Sequence, residues 1–474
     1  MFDYKEKWLL KYKNMISESA FGFSTCMYAM SLEAWRRGLE VTFKLKNEKR
    51  LFHGISYTVS DGEIVHNFDG SMGDASDPKT VPICRNKGIA NNYLKEASIP
   101  IPVGKSFNKE ISNNEILNYA EKIGYPLVLK PIDGGGGVGV ITNIKNKNEL
   151  EKNLLHLRDR RFRKEVIVER FFVGEDYRVV VLDGKVIGAF HRRAQSVVGD
   201  GKSNIDILLQ NKNKERNTSP FLSGSKIKID AKMEAYLKEQ NKSINYIPDN
   251  GERVFLRRNG EFFGQRDSIN ITDDLAPEIK QIAIDAVKAI PGLKYGGVDM
   301  LVDLDRSKGV VNEVNAKPQI GNHLFPMEGE AVDIPRIIFD YYFPNTMYVE
   351  TPNASYYYDF KPVIENFRDS TASEIKLPLK PSKEAAVRNY LITGDNFSDR
   401  FVSRIKREAR GLSISGNIEI MNENLISLTL LGKYEDRKKL LSRAKTKLSK
   451  KVNITNIEEN ECYDPIKIGF EIKR

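Results

Sequence analysis

The amino-acid sequence predicts a mixed α/β protein that is divided into several domains. A chain of 474 residues is too long for one compact core, so two to four domains are expected. Strand-like and helix-like runs follow one another through most of the chain, whereas the part from Ala386 onward reads strand, helix, two strands, helix, strand. That second pattern is typical of a separate α+β unit with its own core.

Domain boundaries are placed where the pattern changes. Residues 1–85 begin with a helix over 17–39 and continue as short strands and turns, which predicts a small N-terminal α/β domain. Residues 86–344 hold several helices and many apolar strands, and they form the predicted central domain. Residues 345–385 are proline-containing and show no clear period, so we interpret them as a linker packed on the surface. Residues 386–474 are the α+β unit.

Three oxygen-bearing side chains fall on two predicted strands that are joined by a polar turn. Apolar residues alternate around Asp299 in the first strand and frame Glu313 and Asn315 in the second. Because Glu313 and Asn315 are two residues apart, their side chains are expected on the same face of the strand. Two carboxylates and an amide oxygen suit Mg²⁺, which prefers oxygen ligands and completes its shell with water and phosphates. The alternative is an ordinary hairpin whose acids face the solvent.

A glycine-rich segment, DGGGGVGV at 133–140, follows the predicted strand that ends at Lys130. Its glycines fit the dinucleotide spacing G-x-G-x-x-G, but that motif needs a helix directly afterwards, and VGVITNI is typical of a strand. A strand, glycine loop, strand arrangement instead predicts a flexible lid whose backbone N–H groups close over phosphates. Lys130 would add a positive charge beside the same phosphates.

A third segment, EVIVERFFVGEDYR at 165–178, predicts a strand that runs into a short polar turn. Glu169 is followed by two aromatic residues and then by two acids. Such a segment could place a purine against apolar walls while its acids reach the exocyclic amine and the ribose. The alternative is a core strand that ends in a solvated turn.

The order of these motifs resembles that of the ATP-grasp superfamily, which joins a carboxylate to an amine through an acyl phosphate. Residues 166–209 are closely similar to the ATP-grasp part of cyanophycin synthetase and of bifunctional glutathione synthetases, and the resemblance covers about residues 85–340. It implies an ATP-grasp fold and an ADP-producing ligase that forms an amide or peptide bond on amino acids or small peptides. It also implies ATP and two Mg²⁺ ions as cofactors, with Mn²⁺ as a substitute.

The resemblance further implies roles for individual residues. Phosphate contacts are implied for Lys87, Lys130, Gly135, Gly136 and Gly137. Adenine contacts are implied for Glu169 and for the backbone near Phe171 and Phe172, and a ribose contact for Asp176. Asp299, Glu313 and Asn315 are the implied metal ligands, with Arg178 and Arg192 near the acyl phosphate.

Arg257 is a further candidate, because a guanidinium can bind a carboxylate or its acyl phosphate through a fork of N–H donors. The similar proteins carry a Ser/Thr-Gly-Gly stretch after this strand, where the chain has GEFFGQR at 260–266. The difference leaves the substrate open, while nucleotide use is still expected.

Residues 386–474 resemble the acylphosphatase fold, which is a ferredoxin-like βαββαβ unit. The alignment places Val402 and Ile420 at the positions of that family's catalytic arginine and asparagine. Arg400 could shift into place through a shorter loop, but phosphatase activity is not expected. We therefore predict a binding or docking module.

Composition bounds the remaining functions. The chain has 74 Lys and Arg against 64 Asp and Glu, and residues 386–474 have 18 against 12, which fits anionic small ligands as readily as nucleic acid. The basic C-terminal helix lacks interleaved aromatic residues, so nucleic-acid binding is not expected. Three scattered cysteines argue against a disulfide framework and favour the cytoplasm, and neither a signal peptide nor a membrane span is expected.

The sequence leaves two other functions open. One is an ATP-grasp kinase, in which the phosphate stays on the product. The other is a nucleotide-binding interaction or regulatory protein whose basic C-terminal module docks a partner. The small-molecule carboxylate and amine substrates cannot be named from the sequence, and a homodimer is left open.

Overall fold

The computed structural model describes residues 7–46, 54–133, 137–158, 165–258, 266–347, 356–446 and 452–473. The structure is mixed α/β, as the sequence predicted. It forms two compact units, of which the first comprises Met1–Leu9 and Asn67–Ile338 and the second Leu10–His66 and Phe339–Arg474. The second unit thus combines an early and a late part of the sequence.

Helices and strands are mixed along both units. The strands are β1 Glu40–Leu45, β2 Ile55–Ser60, β3 Val65–Asp69, β4 Met72–Gly73, β5 Gly104–Phe107, β6 Leu127–Pro131, β7 Ile141–Ile144, β8 Val166–Arg170, β9 Glu175–Leu182, β10 Lys185–Arg193, β11 Ser196–Val198, β12 Arg253–Phe255, β13 Asp267–Asn270, β14 Tyr295–Val302, β15 Gly309–Asn315, β16 Tyr356–Tyr357, β17 Glu374–Lys376, β18 Ala386–Asp395, β19 Ser415–Asn422, β20 Leu425–Gly432, β21 Asn453–Glu461, β22 Ile466–Lys467 and β23 Phe470–Lys473. The helices are α1 Thr25–Arg37, α2 Thr80–Arg85, α3 Lys87–Glu96, α4 Asn113–Ile123, α5 Lys147–Arg158, α6 Ile205–Thr218, α7 Ala231–Glu239, α8 Pro277–Ala289, α9 Gly321–Leu324, α10 Ile334–Tyr342, α11 Lys361–Arg368, α12 Asp399–Gly411 and α13 Tyr434–Thr446.

The first unit has two main sheets. The smaller one, called the small sheet below, has the strand order β5-β8-β6-β7. Helices α4 and α5 pack on one of its faces. Ser112 caps the start of helix α4, because its hydroxyl accepts the Glu115 N–H, and the hydroxyl also donates to the Glu115 carboxylate. Val166 and Val168 of β8 fill the core beneath the helices. Since side chains alternate along a strand, Glu169 points to the opposite face.

The larger sheet of this unit has the order β13-β10-β9-β14-β15. Helix α8 packs against it and begins with Pro277, at a position where the missing N–H costs no helical hydrogen bond. The register places Arg178 of β9 opposite Asp299 of β14, and Asp299 opposite Glu313 of β15. Three charged residues therefore form one row across the sheet.

In the second unit, β17 and β2 pair with opposite edges of β1, and helix α1 packs beside these strands. The described part of 345–385 belongs to this unit, and its role as a linker stays a prediction. The Trp35 ring of α1 contacts the Tyr356 ring, and Phe360 is fully buried. Pro362 stands in the first turn of α11, where proline starts a helix instead of breaking it.

Residues from β18 onward form the element order βαββαβ that the sequence predicted, followed by β22 and β23. The sheet order is β21-β18-β20-β19-β23, and α12 and α13 cover an apolar core. Val402 lies in that core at 1% exposure, whereas Ile420 is 39% exposed. A relationship to acylphosphatases stays a prediction. Within the described ranges, no helix has both the length and the apolar character that crossing a bilayer requires.

Candidate active site

Asp299, Glu313 and Asn315 lie together on β14 and β15. Asp299 pairs directly opposite Glu313, and the Asn315 Nδ2 atom is 3.5 Å from an Asp299 carboxylate oxygen. A β-bulge follows Asp299 and leaves Asn312 as an extra residue in β15. The two strands thus present the three predicted metal ligands at one place.

Two guanidinium groups hold the Asp299 carboxylate. Arg178 Nη2 is 2.8 Å from one oxygen, and Arg178 Nε contacts the other oxygen, which is also 3.0 Å from Arg192 Nη2. Burial would raise the pKa of Asp299, but the charges and hydrogen bonds of Arg178 and Arg192 outweigh it and lower the pKa to about 2. A Cβ atom on Gly297 would lie only 3.2 Å from Arg178 Cδ, so the glycine leaves room for that side chain.

Asp176 lies on the same strand face as Arg178, and two arginines bind it. One Asp176 oxygen accepts from Arg192 Nε at 2.9 Å and from Arg192 Nη2 at 2.6 Å, and the other accepts from Arg266 Nη1. Burial would lower the pKa of Arg192, but Asp176 and Asp299 raise it above its ordinary value. Sequence reasoning missed Arg266, because its partner is evident only once β13 is placed beside β10. The ribose role of Asp176 stays a prediction.

The two lysines expected at the phosphates both contact carboxylates. Lys87 Nζ lies 3.4 Å from Glu313 Oε1. Lys130 Nζ lies 2.6 Å from Glu169 Oε1 and donates to the Asn312 amide oxygen at 2.9 Å. Asn312 was not predicted, since only the bulge in β15 makes it an extra residue between Val311 and Glu313. Lys87 therefore connects helix α3 to a candidate metal ligand, and Lys130 connects the small sheet to strand β15.

Glu169 borders a cavity of about 430 Å³. Its lining comes from α3, β5, β8 and neighbouring residues, among them Asn86, Ser106 and Ile167. This space is large enough for a purine beside Glu169. Phe171 and Phe172 are partly buried in the turn after β8, and the Phe171 N–H donates to the Pro126 carbonyl at 2.9 Å. That N–H is therefore already bound within the protein.

The glycine loop connects two paired antiparallel strands, β6 and β7. This confirms the strand, loop, strand arrangement and excludes the helix that a dinucleotide motif needs. Gly135 and Gly136 lie outside the described residues. Gly137 has a φ of +69°, a left-handed conformation that favours glycine, and its carbonyl accepts the Val140 N–H at 3.1 Å.

Arg257 is bound elsewhere in the first unit. Its two Nη atoms lie 2.6 and 2.7 Å from the two oxygens of Asp230. Asp230 also accepts the Met233 N–H and so caps helix α7. The described hydrogen bonds and ion pairs of Arg257 are with Asp230 and the Lys228 carbonyl. The structure therefore does not place Arg257 in contact with Asp299, Glu313 or Asn315. Its role at the acyl phosphate stays a prediction.

The donor set at β14 and β15 fits a hard divalent cation. Asp299, Glu313 and Asn315 offer oxygen ligands, which Mg²⁺ prefers. Throughout the part of the chain that the structure describes, no group of three or more His, Cys, Asp or Glu side chains is arranged to hold a metal ion. A cation here would therefore need further oxygens, which water and phosphate groups supply.

Part of the chain is similar to a known protein family. Residues 94–242 match the family described as D-ala D-ala ligase C-terminus. The matched residues include Lys130, Glu169, Asp176, Arg178 and Arg192.

Curated proteins give matches over a longer stretch. The glutathione biosynthesis bifunctional protein GshAB of Clostridium perfringens is 32% identical over 314 residues, which are 63% of this chain and 38% of that protein. Cyanophycin synthetase of Trichormus variabilis is 28% identical over 340 residues, which are 70% of this chain and 36% of that protein. The chain thus spans less than half the length of these relatives.

The chain is also similar to a solved structure over part of its length. A bifunctional glutathione synthetase from Pasteurella multocida is 25% identical with a TM-score of 0.49, and the match covers 64% of this chain and 42% of that chain. The family match and the sequence relatives confirm the expected resemblance to ATP-grasp ligases, and residues 94–242 are similar to the D-ala D-ala ligase C-terminus family.

Proposed function

We propose that the protein is an ATP-dependent ligase that joins a carboxylate to an amine through an acyl phosphate. The row of Arg178, Asp299 and Glu313 on three adjacent strands carries this proposal. Attack of a carboxylate on the γ-phosphate brings several negative charges together, so its site needs cations and metal ligands side by side. The ligases that the chain resembles in sequence support the same reaction class.

The proposed cofactors are ATP and two Mg²⁺ ions, with Mn²⁺ as a substitute. Asp299, Glu313 and Asn315 would hold the metal, whose positive charge stabilises the charge that develops on the transferred phosphate. Lys87 and Lys130 would bind the phosphates, and each would exchange its present carboxylate partner in part for phosphate oxygens. Glu169 would meet adenine at the cavity beside it.

The arginines would act on the second reactant. Arg178 and Arg192 present N–H donors beside Asp299, which suits a carboxylate and the acyl phosphate formed from it. The loop that contains Gly137 would close over the phosphates and keep water from this intermediate. An amine then attacks the acyl carbon and phosphate leaves, so the products are an amide, ADP and inorganic phosphate.

We propose that the substrates are amino acids or small peptides and that the reaction takes place in the cytoplasm. Neither the acid nor the amine follows from the described contacts. A screen for ADP and phosphate release across paired amino acids and peptides would identify them. Sedimentation velocity would decide whether the protein forms the homodimer that the sequence leaves open.

The reaction class is tested with an ¹⁸O-labelled carboxylate. An acyl-phosphate ligase transfers one labelled oxygen to the released phosphate, which mass spectrometry detects. Hydroxylamine in place of the amine should trap the intermediate as a hydroxamate. AMP and pyrophosphate as products would contradict the proposal, and phosphate that stays on the product would indicate a kinase.

A further inference from the structure

The loop between β3 and β4 is bonded to the segment that follows the candidate metal ligand Asn315. The buried Ser71 hydroxyl donates to the Pro318 carbonyl at 2.7 Å. The same hydroxyl accepts a hydrogen bond from the Tyr295 hydroxyl at 3.0 Å. These two bonds join the loop, the segment after Asn315 and the start of β14, so they hold the three parts together.

Pro318 lies on the sheet face that carries the candidate site. Gly297 and Asp299 are two residues apart on β14, so both face the same side of the sheet. A Cβ atom on Gly297 would lie 2.7 Å from Pro318 Cβ and 3.2 Å from Arg178 Cδ. Pro318 therefore packs beside the arginine that holds the Asp299 carboxylate, and the loop that contains Ser71 borders the candidate site.

Asp69 and Lys317 form an ion pair at this border. Lys317 Nζ is 2.5 Å from Asp69 Oδ2, and the two side chains are 38% and 37% exposed. An ion pair that water reaches contributes little to stability, because water competes for both charges. The pair can therefore open at low cost when a ligand offers Lys317 another carboxylate.

The proposed reaction can supply such a carboxylate. Its second step is the attack of an amine on the acyl carbon, which lies near Arg178 and Arg192. In a free α-amino acid, the carbon next to the amino nitrogen carries a carboxylate, so a second negative charge approaches the acyl phosphate. A positive side chain beside the site offsets this repulsion. Lys317 suits that task, since it directly precedes Pro318.

We propose that Lys317 and Asp69 determine the specificity for the amine. Lys317 binds the carboxylate of a free α-amino acid, and Asp69 holds the Lys317 side chain until that substrate arrives. The inference rests on the proposed function, to which it adds the chemical class of the amine substrate. It gives the two partners of one ion pair opposite effects on binding, because loss of the Asp69 charge frees Lys317 for the substrate.

The test compares amino acids with their amides. Phosphate release by the full chain is measured with the twenty amino acids of proteins as acids and as amines, and in parallel with their α-amides as amines. An α-amide keeps the amino group and lacks the carboxylate charge. The ratio of kcat/KM for an amino acid to kcat/KM for its amide therefore reports the carboxylate contact, and general damage to the site cancels in this ratio.

The expected ratio depends on the charge at positions 69 and 317. Lys317→Met should lower it by about tenfold, the effect of losing a hydrogen bond to a charged group, and Lys317→Arg should retain most of it. Asp69→Asn should raise the ratio by about threefold, since an exposed ion pair no longer competes. Lys294→Met is the matched control, because Lys294 forms another exposed pair, with Asp183 at 3.1 Å, and its loss should leave the ratio at the wild-type value.

Three results would overturn the inference. The first is a ratio that Lys317→Met leaves unchanged, and the second is equal use of amino acids and amides by the wild type. The third is a ratio that falls in Asp69→Asn as it does in Lys317→Met, which would show that the pair merely supports the loop.

Failure of the proposed function looks different. The wild type would then release no phosphate with any pair, and hydroxylamine would trap no hydroxamate from any acid, so both proposals would fall. Hydroxamate formation without any product from an amino acid as the amine would contradict the specificity for amino acids alone and leave the acyl-phosphate ligase standing.

Discussion

Lys130 and Glu169 form a buried ion pair, with Nζ 2.6 Å from Oε1 and side-chain exposures of 4% and 5%. They stand on adjacent strands, β6 and β8, on the face opposite the core of the small sheet. Each was predicted to bind a different part of ATP. Their pairing shows that two predicted binding residues satisfy each other when they are taken out of water, which a buried charge requires.

Breaking this pair should destabilise the protein. Lys130→Met leaves the Glu169 carboxylate buried without its cation, so we expect a loss of about 3–5 kcal/mol in the free energy of unfolding of the first unit. Urea unfolding measures the change. The double variant Lys130→Met with Glu169→Gln should regain most of the stability and still fail to bind ATP. A single variant as stable as the wild type would contradict the prediction.

The ionisation of Asp299 should appear in the pH dependence of stability. The pKa of Asp299 is about 2 in the folded protein, below the value near 3.9 in an unfolded chain. Its contribution to the free energy of unfolding is therefore fully present above about pH 4 and is lost as the pH falls through 2. Asp299→Asn should therefore be less stable than the wild type at pH 5–8 by about 2 kcal/mol, and the difference should shrink from pH 4 to pH 2.

The control for this series is Asp305→Asn, since Asp305 is an exposed acid in the turn between β14 and β15. Unfolding by urea at each pH gives the difference in the free energy of unfolding between the wild type and each of the two variants. A stability difference for Asp299→Asn that grows on acidification would show that burial, and not Arg178 with Arg192, dominates this carboxylate.

Glu313 should be needed for the metal-dependent step. Glu313→Gln removes one negative charge from the candidate metal site, and the same charge pairs with Lys87. Turnover should therefore fall by about 100-fold or more while the protein stays folded. Initial rates over a Mg²⁺ series check this, with Glu278→Gln on the exposed side of α8 as the matched control. Near-normal rates in Glu313→Gln would remove this residue from the metal site.

The C-terminal sheet should not hydrolyse acyl phosphates. Val402 is buried in the core and Ile420 is an exposed apolar residue, so neither offers a guanidinium or an amide to the phosphate. The full chain should leave acetyl phosphate intact when no ATP is present. The Glu313→Gln variant is preferred for this assay, because its first unit is expected to have little turnover of its own. Hydrolysis that is lost in Arg400→Ala would show that the alignment is displaced by a loop.

Much of the site could be predicted because the local pattern determines it. Alternation of apolar residues located the strands of Asp299, Glu313 and Asn315, and β-branched residues after the glycine loop excluded a helix. The register between strands is a tertiary property, so Arg266 and the bulge that gives Asn312 its contact had no sequence signal. The same limit applies to the partner of Arg257, which lies 27 positions earlier in the sequence.

Pairing of β17 with β1 has a consequence for the order of folding during synthesis. Strand β17 leaves the ribosome more than 300 residues after helix α1, whereas the residues of the first unit between 67 and 338 are made in one stretch. At about 5–20 residues per second, α1 waits roughly 15–60 s for Tyr356, Phe360 and β17 to cover its apolar surface. During that interval the surface of α1 that these residues later cover is exposed, and transiently exposed apolar surface favours aggregation.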